Sequence, residues 1–380
     1  MKSIAALLRI APLLCAAAMA GQAAAGDIPP HCPAGALVYD ESGDPATFDL
    51  SSMMAGMERT PDVVLYPLAL QTGNMEIASS LTPRSTRGGV PDEAPIAVLY
   101  PDIGEPYRSV FAKIVEGIED RARGRVVSYA VPPNQNAGEV VDELRHRGAR
   151  IVIALGRNGL RAASGLDRDV GVVVGCVVSA PEADTRGMTV HSLAPDPMLL
   201  FDRLKAMMPA ARRVFVVYDP RQNAWLLRLA REAARSHGLE LVAQEAYDLK
   251  GAMRAYQEIV AGADPHRDAV WLPQDSVTVE ESAVLPAVLQ EAWSRGLAVF
   301  SSSVAHVKRG ALFSLYPNNV ELGRSLAGTA ISQLQGNPGP ARGVLPLKDV
   351  LMAVNVRTAS HLGLGVAQRQ LSFDMVFPEQ

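Results

Sequence analysis

Cysteine is scarce in this chain, which has only three in 380 residues. Two of them, Cys32 and Cys176, lie too far apart to form a metal-binding pair, and the seven histidines lack the spacing of metal ligands. Long apolar runs are also lacking, since none beyond the N-terminus is long enough to span a bilayer. We therefore expect no metal site, no cofactor and no membrane-spanning helix after the first residues.

The sequence also lacks the short motifs that mark common catalytic sites. It contains no G-x-S-x-G, no G-x-x-x-x-G-K-S/T and no H-E-x-x-H. Gly363 and Gly365 lack the third glycine and the following helix of a dinucleotide site. A serine run, 301–303, precedes His306, but spacing alone does not bring a nucleophile and a base together. The sequence therefore predicts that the protein is not an enzyme, with a hydrolase as the third-ranked alternative.

The first 25 residues have the features of a secretory signal peptide. Lys2 and Arg9 supply positive charge, residues 10–19 are mostly apolar, and Ala23–Ala25 match an A-x-A cleavage site. Cleavage near Ala25 would place the mature protein in the periplasm. It would also lower the formal net charge from −4 to about −6, and this mildly acidic balance argues against nucleic acid as a partner.

Residues 26–93 are predicted to form an N-terminal extension, with Pro, Gly and Ser punctuation and only short apolar pieces. Its acidic stretch Asp40–Asp44 lacks the further oxygen ligands of a cation loop, which favours a solvated turn. Cys32 lies in this extension and could form a disulfide with Cys176 in the oxidising periplasm. Alternatively, Cys176 is a free thiol in a buried strand, and the sequence leaves both alternatives open.

From Ala94 onward, short apolar runs alternate with segments of helical spacing, a pattern typical of parallel βα units. The predicted strands cover 96–100, 151–155, 172–178, 214–218, 239–243, 269–272, 297–300 and 350–354, with one more near 312. A longer irregular stretch, 179–197, divides them into two series. We predict an α/β fold with two doubly wound parallel-sheet lobes and a hinge; a closed barrel is the alternative.

Ligands of open α/β sheets bind beyond the carboxyl ends of the strands, where helices begin. Hydrogen-bonding side chains occupy these positions after five predicted strands. The predicted ligand-binding residues are Tyr100, Asp102, Arg157, Asn158, Tyr218, Gln222, Gln274, Asp275, Ser301 and Ser302. Two of the five loops carry an arginine able to hold a carboxylate, so the set suits a polar or zwitterionic ligand. Helix capping, turns and packing between the lobes require the same residue types, and these roles stay open.

Several segments resemble, in their order and spacing, the ABC-transporter substrate-binding proteins of the tryptophan/tyrosine-binding type. They are Ile96–Tyr100, Ile151–Gly156, Met208–Pro220, Trp271–Asp275, Val307–Leu312, Glu321–Arg324 and Val354–Asn355. The likeness covers about residues 94–365. It implies a type I periplasmic-binding fold, with lobe one formed by 94–185 plus 308–335 and lobe two by 186–307 plus 336–372.

The resemblance also implies a function. A small organic ligand, such as an amino acid, would bind in the cleft between the lobes, lined by the loops after Gly156, Tyr218 and Pro273 and by the serines at 301–303. The expected partner is the membrane permease of an ABC importer. The alternative is a periplasmic sensor or accessory protein of the same fold that acts on a membrane partner without transport.

Overall fold

The computed structural model describes residues 95–132, 137–167, 169–178, 187–337, 343–365 and 372–378, together with two short strands nearer the N-terminus. The chain divides into two compact units, Met1–Arg59 and Thr60–Gln380. In the first unit, β1 (Val38–Tyr39) pairs antiparallel with β2 (Pro45–Ala46). The predicted signal peptide, Cys32 and the rest of the extension lie outside the described residues.

The second unit is an alternation of strands and helices. In chain order its elements are β3 (Ile96–Pro101), α1 (Tyr107–Ala122), β4 (Val126–Val131), α2 (Ala137–His146), β5 (Ile151–Leu155), α3 (Gly156–Ala163), β6 (Gly171–Val177), β7 (Thr189–Pro195), α4 (Pro197–Met207), β8 (Arg213–Tyr218), α5 (Pro220–Ser236), β9 (Glu240–Glu245), α6 (Leu249–Gly262), β10 (Asp268–Leu272), α7 (Val284–Arg295), β11 (Ala298–Ser301), α8 (Val304–Lys308), β12 (Phe313–Pro317), α9 (Asn319–Leu334), β13 (Gly343–Leu347), β14 (Val350–Asn355), α10 (Val356–His361) and β15 (Met375–Phe377).

These strands form two sheets, one in each lobe. Lobe one has six strands in the order β13-β7-β6-β5-β3-β4, all pairing in parallel. Lobe two has seven strands in the order β15-β14-β12-β11-β10-β8-β9, with an antiparallel pairing between β12 and β14 and parallel pairings elsewhere. Two open sheets, rather than a closed barrel, confirm the predicted fold class.

Burial on both faces explains the long apolar runs of the central strands. All five residues of β5 (sequence IVIAL) are buried, and β10 is buried throughout. Parallel strands covered by helices on both sides need such runs, because neither face meets water. Each sheet accordingly has apolar clusters on both of its faces; in lobe two, for example, Val216 packs on one side and Val217 on the other.

The chain crosses between the lobes at three places that lie side by side. It passes from β7 to α4 at Asp196, from β12 to α9 at Asn318, and from β13 to β14 at residues 348–349. The Asp196 amide donates to the Leu347 carbonyl and the Asn318 amide to the Asp349 carbonyl, both at 2.9 Å. Ser325 on α9 donates to the Asp349 carboxylate at 2.5 Å. These bonds tie the three crossings into the hinge.

Two glycines allow helices α1 and α9 to pack backbone against backbone in lobe one. A methyl group at Gly117 would collide with the carbonyl of Val320, and one at Gly323 would collide with the carbonyl of Ile114. Leu322 and Leu326 of α9 complete the contact by packing into the core of lobe one. This close approach holds α9 on lobe one although α9 follows the strands of lobe two in sequence.

Sheet membership corrects the expected lobe boundaries. Strand β7 was expected within an irregular stretch at the start of lobe two, yet it pairs with β6 and β13 in lobe one. Strand β12 was expected in lobe one but pairs with β11 and β14 in lobe two. Strand β13, expected in lobe two, belongs to lobe one, and β15 extends lobe two beyond residue 372. Pairings between distant segments depend on tertiary contacts, which the local pattern does not reveal.

Cys176 lies at an irregularity in β6. The pairing of β6 with β7 shifts register between Val174 and Val177, and Cys176 has the positive φ of 61° that accompanies this bulge. The residue is a free thiol with no exposed surface, and burial raises its pKa to about 12. Cys32, its predicted alternative partner, lies outside the described residues.

Candidate functional site

Three predicted ligand-binding loops of lobe two lie next to one another. They follow β8, β10 and β11, which are neighbours in the sheet and run parallel, so their carboxyl ends meet at one edge. Loop 218–223 runs from the end of β8 through the first turn of α5, loop 273–278 precedes α7, and the serines 301–303 lead into α8. The topology therefore assembles the predicted residues of this lobe on one wall, which we call the lobe-two wall.

The carboxylate of Asp275 organises that wall. Its Oδ1 accepts from the backbone amides of Val277 and Thr278 at 3.0 and 2.9 Å. Its Oδ2 accepts from the Asp219 amide at 2.7 Å and from Asn223 Nδ2 at 2.9 Å. Both oxygens are thus occupied by donors from the two adjacent loops, and the side chain, only 6% exposed, acts as a link between them. Its direct contact with a ligand stays a prediction.

Asp219 caps helix α5 and binds the arginine that follows it. Its Oδ1 accepts from the Arg221 amide at 3.0 Å, and the Arg221 guanidinium binds both carboxylate oxygens at 2.7–3.0 Å. Burial by itself raises the pKa of Asp219, but hydrogen bonds from Arg221 and Gln222 outweigh it and hold the pKa below its usual range. Arg221 is one of the two loop arginines expected to be able to hold a carboxylate, and here it already binds a carboxylate of the protein itself.

The serines at the end of β11 are buried and bonded inside the lobe. Trp271 Nε1 donates to Ser302 Oγ at 3.0 Å, and Gln274 Nε2 donates to the Ser302 carbonyl at 2.9 Å. Ser301 Oγ lies 2.8 Å from His306 Nδ1 and accepts from the Ser303 amide at 2.9 Å. Ser301 and Ser302 have no exposed surface. In this structure their hydroxyls stabilise the conformation of the loop through these hydrogen bonds.

Tyr218 and Gln222 have different positions on this wall. Tyr218 is 3% exposed, packs in the lobe-two core and donates to Glu245 Oε1 at 3.0 Å. Burial, and then the Glu245 carboxylate, raise its pKa. Gln222 is half-buried and lies 3.4 Å from both Asp219 Oδ2 and Ser276 Oγ. Gln222 is therefore the more accessible of these two predicted residues.

The predicted residues of lobe one follow the neighbouring strands β3 and β5. Tyr100 is the second-last residue of β3; it is half-buried and packs against the lobe-one core. Asp102 follows the strand and is exposed. Burial first, and then the Asp102 carboxylate, raise the pKa of Tyr100. Arg157 and Asn158, both half-buried, are in the first turn of α3, directly after the left-handed Gly156. These four residues lie at the carboxyl edge of the lobe-one sheet.

Sequence reasoning missed two side chains of the lobe-two wall. Asn223 is 2% exposed and joins the two loops through Asp275. Thr278 is fully buried, and its Oγ1 donates to the Val217 carbonyl at 3.0 Å. Asn223 follows the N-cap Asp219 by one helical turn, a spacing that points its side chain back toward the cap, and this signal could have identified it.

A cavity of about 400 Å³ lies at the opposite edge of lobe two. Its lining comes from the amino ends of β8, β9 and β10 and includes Arg213 and Asp268, which form a bidentate ion pair at 2.6 and 2.9 Å. The cavity is therefore separate from the wall at the carboxyl ends.

Within the described part of the chain, no helix is long and apolar enough to cross a membrane. Those same residues include no group of three or more His, Cys, Asp or Glu placed to hold a metal ion.

Both the sequence and the fold of this chain are similar to those of known proteins. Residues 187–372 match the family model described as ABC transporter substrate binding protein. No curated protein matches the chain significantly. A ligand-free, open substrate-binding protein with adhesive properties from Clostridium difficile is 16% identical with a TM-score of 0.54, over 74% of this chain and 99% of the other.

Two further solved structures align less closely. A conserved domain protein from Vibrio cholerae is 18% identical with a TM-score of 0.46, over 75% of this chain and 100% of the other. An ABC domain in complex with L-Trp from Streptococcus pneumonia is also 18% identical with a TM-score of 0.46, over 75% of this chain and 99% of the other.

The fold defines the class: a two-lobed α/β protein of the type I periplasmic-binding kind. The family match over residues 187–372 confirms the resemblance to ABC-transporter substrate-binding proteins that the sequence predicted.

Proposed function

We propose that the protein is an exported solute-binding protein that captures a small organic ligand between its lobes and delivers it to the permease of an ABC importer. The match of residues 187–372 to the substrate-binding family carries this proposal, and it covers most of lobe two, the three crossings, and β7, α9 and β13 of lobe one. The described fold supports it, since two open sheets are joined by three adjacent crossings. Such an arrangement permits closure of two rigid bodies around a bound molecule.

The lobe-two wall is suited to this function because hydrogen bonds within the protein hold its loops together. Asp275 fixes loop 218–223 relative to loop 273–278, and Gln274 fixes the latter relative to the serines. A preordered wall reduces the conformational entropy lost on binding. Ligand selection then depends on the accessible groups, which include Gln222 on lobe two and Asn158 on lobe one.

Burial supports a binding function rather than catalysis at the serine run. Ser301 and His306 do approach each other, as a nucleophile and base would, but they are 0% and 4% exposed. Burial lowers the pKa of His306 to about 4, because the charged imidazolium is poorly solvated there. A substrate would have no access to this hydroxyl without opening of the loop.

A ligand screen by thermal shift tests the proposal. Any compound that binds only the folded state raises the Tm, so amino acids, small peptides, nucleosides, sugars and carboxylates are screened against the purified protein. We expect a saturable rise with at least one class. Gln222→Ala and Asn158→Ala should each reduce that rise while leaving the Tm without ligand unchanged.

The matched control is Gln290→Ala, which changes an exposed glutamine on α7 and should keep the full response. A flat response across the whole panel would contradict ligand capture. Export is tested separately by cell fractionation, where recovery of the protein with cytoplasmic rather than periplasmic markers would contradict it.

A further inference from the structure

The third crossing between the lobes is only two residues long. The lobe-one strand β13 ends at Leu347, and the lobe-two strand β14 begins at Val350. Lys348, which is exposed, and Asp349 connect them. Because each neighbour is held in a sheet, a rotation of one lobe against the other must change the backbone torsion angles of these two residues. We call Lys348 and Asp349 the pivot.

Asp349 binds both lobes at the pivot. Its backbone carbonyl accepts from the Asn318 amide at 2.9 Å, which continues the antiparallel pairing of β12 with β14 in lobe two. Its carboxylate Oδ2 accepts from Ser325 on α9, a helix of lobe one, at 2.5 Å. The other carboxylate oxygen, Oδ1, accepts no hydrogen bond from the described residues. The side chain therefore resists rotation of the lobes and has one oxygen left to accept a further bond.

A histidine of lobe one is bonded to the same helix, α9. His191 lies on β7, is half-buried, and its Nε2 is 3.0 Å from Thr329 Oγ1. Thr329 donates its hydroxyl proton to the Ser325 carbonyl at 3.1 Å, so His191 Nε2 must be the donor to Thr329. The neutral imidazole therefore has its proton on Nε2. Its Nδ1, which forms no hydrogen bond with the described residues, is where a second proton would bind.

The charge that acts on His191 is the Asp349 carboxylate. Burial lowers the pKa of His191, and the negative charge of Asp349 opposes that effect. The strands that flank β7, β6 and β13, contain no charged residue, and the Cys176 thiol of β6 stays protonated because burial raises its pKa to about 12. The charged residues of α9, Glu321 and Arg324, bind each other. An imidazolium at His191 would therefore be attracted to the pivot.

We propose that His191 makes the hinge sensitive to pH, because its protonation draws the Asp349 carboxylate toward lobe one and restricts rotation of the lobes about the pivot. At neutral pH the imidazole is uncharged, since its pKa lies below the ordinary value of 6.5, and the bond from Ser325 holds the carboxylate. In acid the two groups carry opposite charges, and the imidazolium adds an N–H donor. The opening and closing that the proposed function requires would then depend on pH at a place outside the ligand cleft.

Energy transfer between dyes on the two lobes tests the inference without a ligand. The dyes are attached at two exposed positions, Lys113→Cys on α1 and Glu258→Cys on α6, in protein that also carries Cys15→Ser and Cys32→Ser. Time-resolved fluorescence gives the width of the distribution of distances between the lobes, and NMR of the histidine rings gives the protonation midpoint of His191. We expect the distribution to narrow as the pH falls from about 7.5 to about 5, with the same midpoint as the His191 ring.

Two variants remove the two charges one at a time. His191→Gln keeps an N–H donor for Thr329 but does not titrate, and Asp349→Asn keeps an acceptor for Ser325 but has no charge. Both should abolish the narrowing in acid, and in Asp349→Asn the protonation midpoint of His191 should fall because the attracting carboxylate is gone. The matched control, His266→Gln, removes an exposed histidine of lobe two and should keep the full response.

Three results would overturn the inference: a width that does not change with pH in the wild type, a narrowing that persists in His191→Gln or Asp349→Asn, or a narrowing that is lost in His266→Gln. Circular dichroism checks that each variant is folded, and if His191→Gln does not fold, Asp349→Asn decides. The inference rests on the proposed function only for its consequence in ligand capture. Its failure would leave that function intact, because the thermal-shift screen tests capture separately.

Discussion

The Asp275 carboxylate accepts a 2.7 Å hydrogen bond from the backbone amide of Asp219, which joins loops separated by 56 positions in sequence. Three further donors occupy the same carboxylate, so one side chain holds the geometry of the whole lobe-two wall. Its effect on stability should therefore exceed that of an ordinary surface aspartate.

Asp275→Asn is expected to lower the free energy of unfolding by about 2–4 kcal/mol, because an amide N–H₂ would then face the donors of Asp219 or Asn223. Urea denaturation measures the change. Asp248→Asn, at an exposed cap where either residue serves, should differ from the wild type by less than about 0.5 kcal/mol. Equal effects of the two substitutions would show that Asp275 does not organise the wall.

The contact between α1 and α9 predicts that alanine substitutions at two glycines of α9 change the stability of the protein in opposite directions. Gly323→Ala should destabilise the protein by at least about 2 kcal/mol, since its methyl group meets the backbone of Ile114. Gly328→Ala, where no atom lies within 4 Å, should stabilise it by about 0.5–1 kcal/mol through helix propensity. Thermal and urea unfolding of both variants check the prediction, which similar stabilities would contradict.

His306 predicts a pH dependence of stability. Burial lowers its pKa from 6.5 to about 4, so between these values the unfolded chain binds a proton that the folded protein does not. Stability should fall as the pH drops from about 7 to 4, by about 3 kcal/mol from this residue. His306→Asn keeps an acceptor for Ser301 but does not titrate, and its unfolding free energy should depend less steeply on pH. Identical slopes for the two proteins would show that His306 contributes nothing.

Cys176 should be inert toward alkylation in the folded protein. It has no exposed surface, and its pKa of about 12 leaves almost no thiolate at pH 8. Iodoacetamide is therefore expected to modify Cys176 only after denaturation, as measured by peptide mass spectrometry, which distinguishes it from Cys15 and Cys32. Rapid labelling under native conditions would contradict the buried position.

Sequence patterns predicted strands best where the strand is buried on both faces. The runs at 151–155 and 269–272 are continuous and apolar, and the structure has strands at Ile151–Leu155 and Asp268–Leu272. Strand β4 was missed, since it lies at a sheet edge and is only half-buried. Strand β7 was missed because its sequence, TVHSLAP, mixes polar and apolar residues next to the hinge.

The sequence predicted where the candidate residues lie in the fold, but not their hydrogen bonds, and their contact with a ligand stays a prediction. Parallel strands place their carboxyl ends together, so the turn residues after Tyr218 and Leu272 were correctly expected at one edge. Which of those side chains are occupied by the protein itself depends on the distances between loops. Asp275 and Ser302 form hydrogen bonds within the wall, whereas Gln222 is more accessible.

The sequence by itself determined the class of fold, because apolar runs of strand length alternating with amphipathic helices can bury their surfaces only as parallel βα layers. Its segments also indicated a resemblance to ABC-transporter substrate-binding proteins, and residues 187–372 match the model of that family. The tertiary structure decided which strands belong to which lobe and which polar groups are used internally. Both depend on contacts between segments far apart in sequence, such as Gly117 with Val320 and Asp275 with Asp219, and no local pattern specifies such contacts.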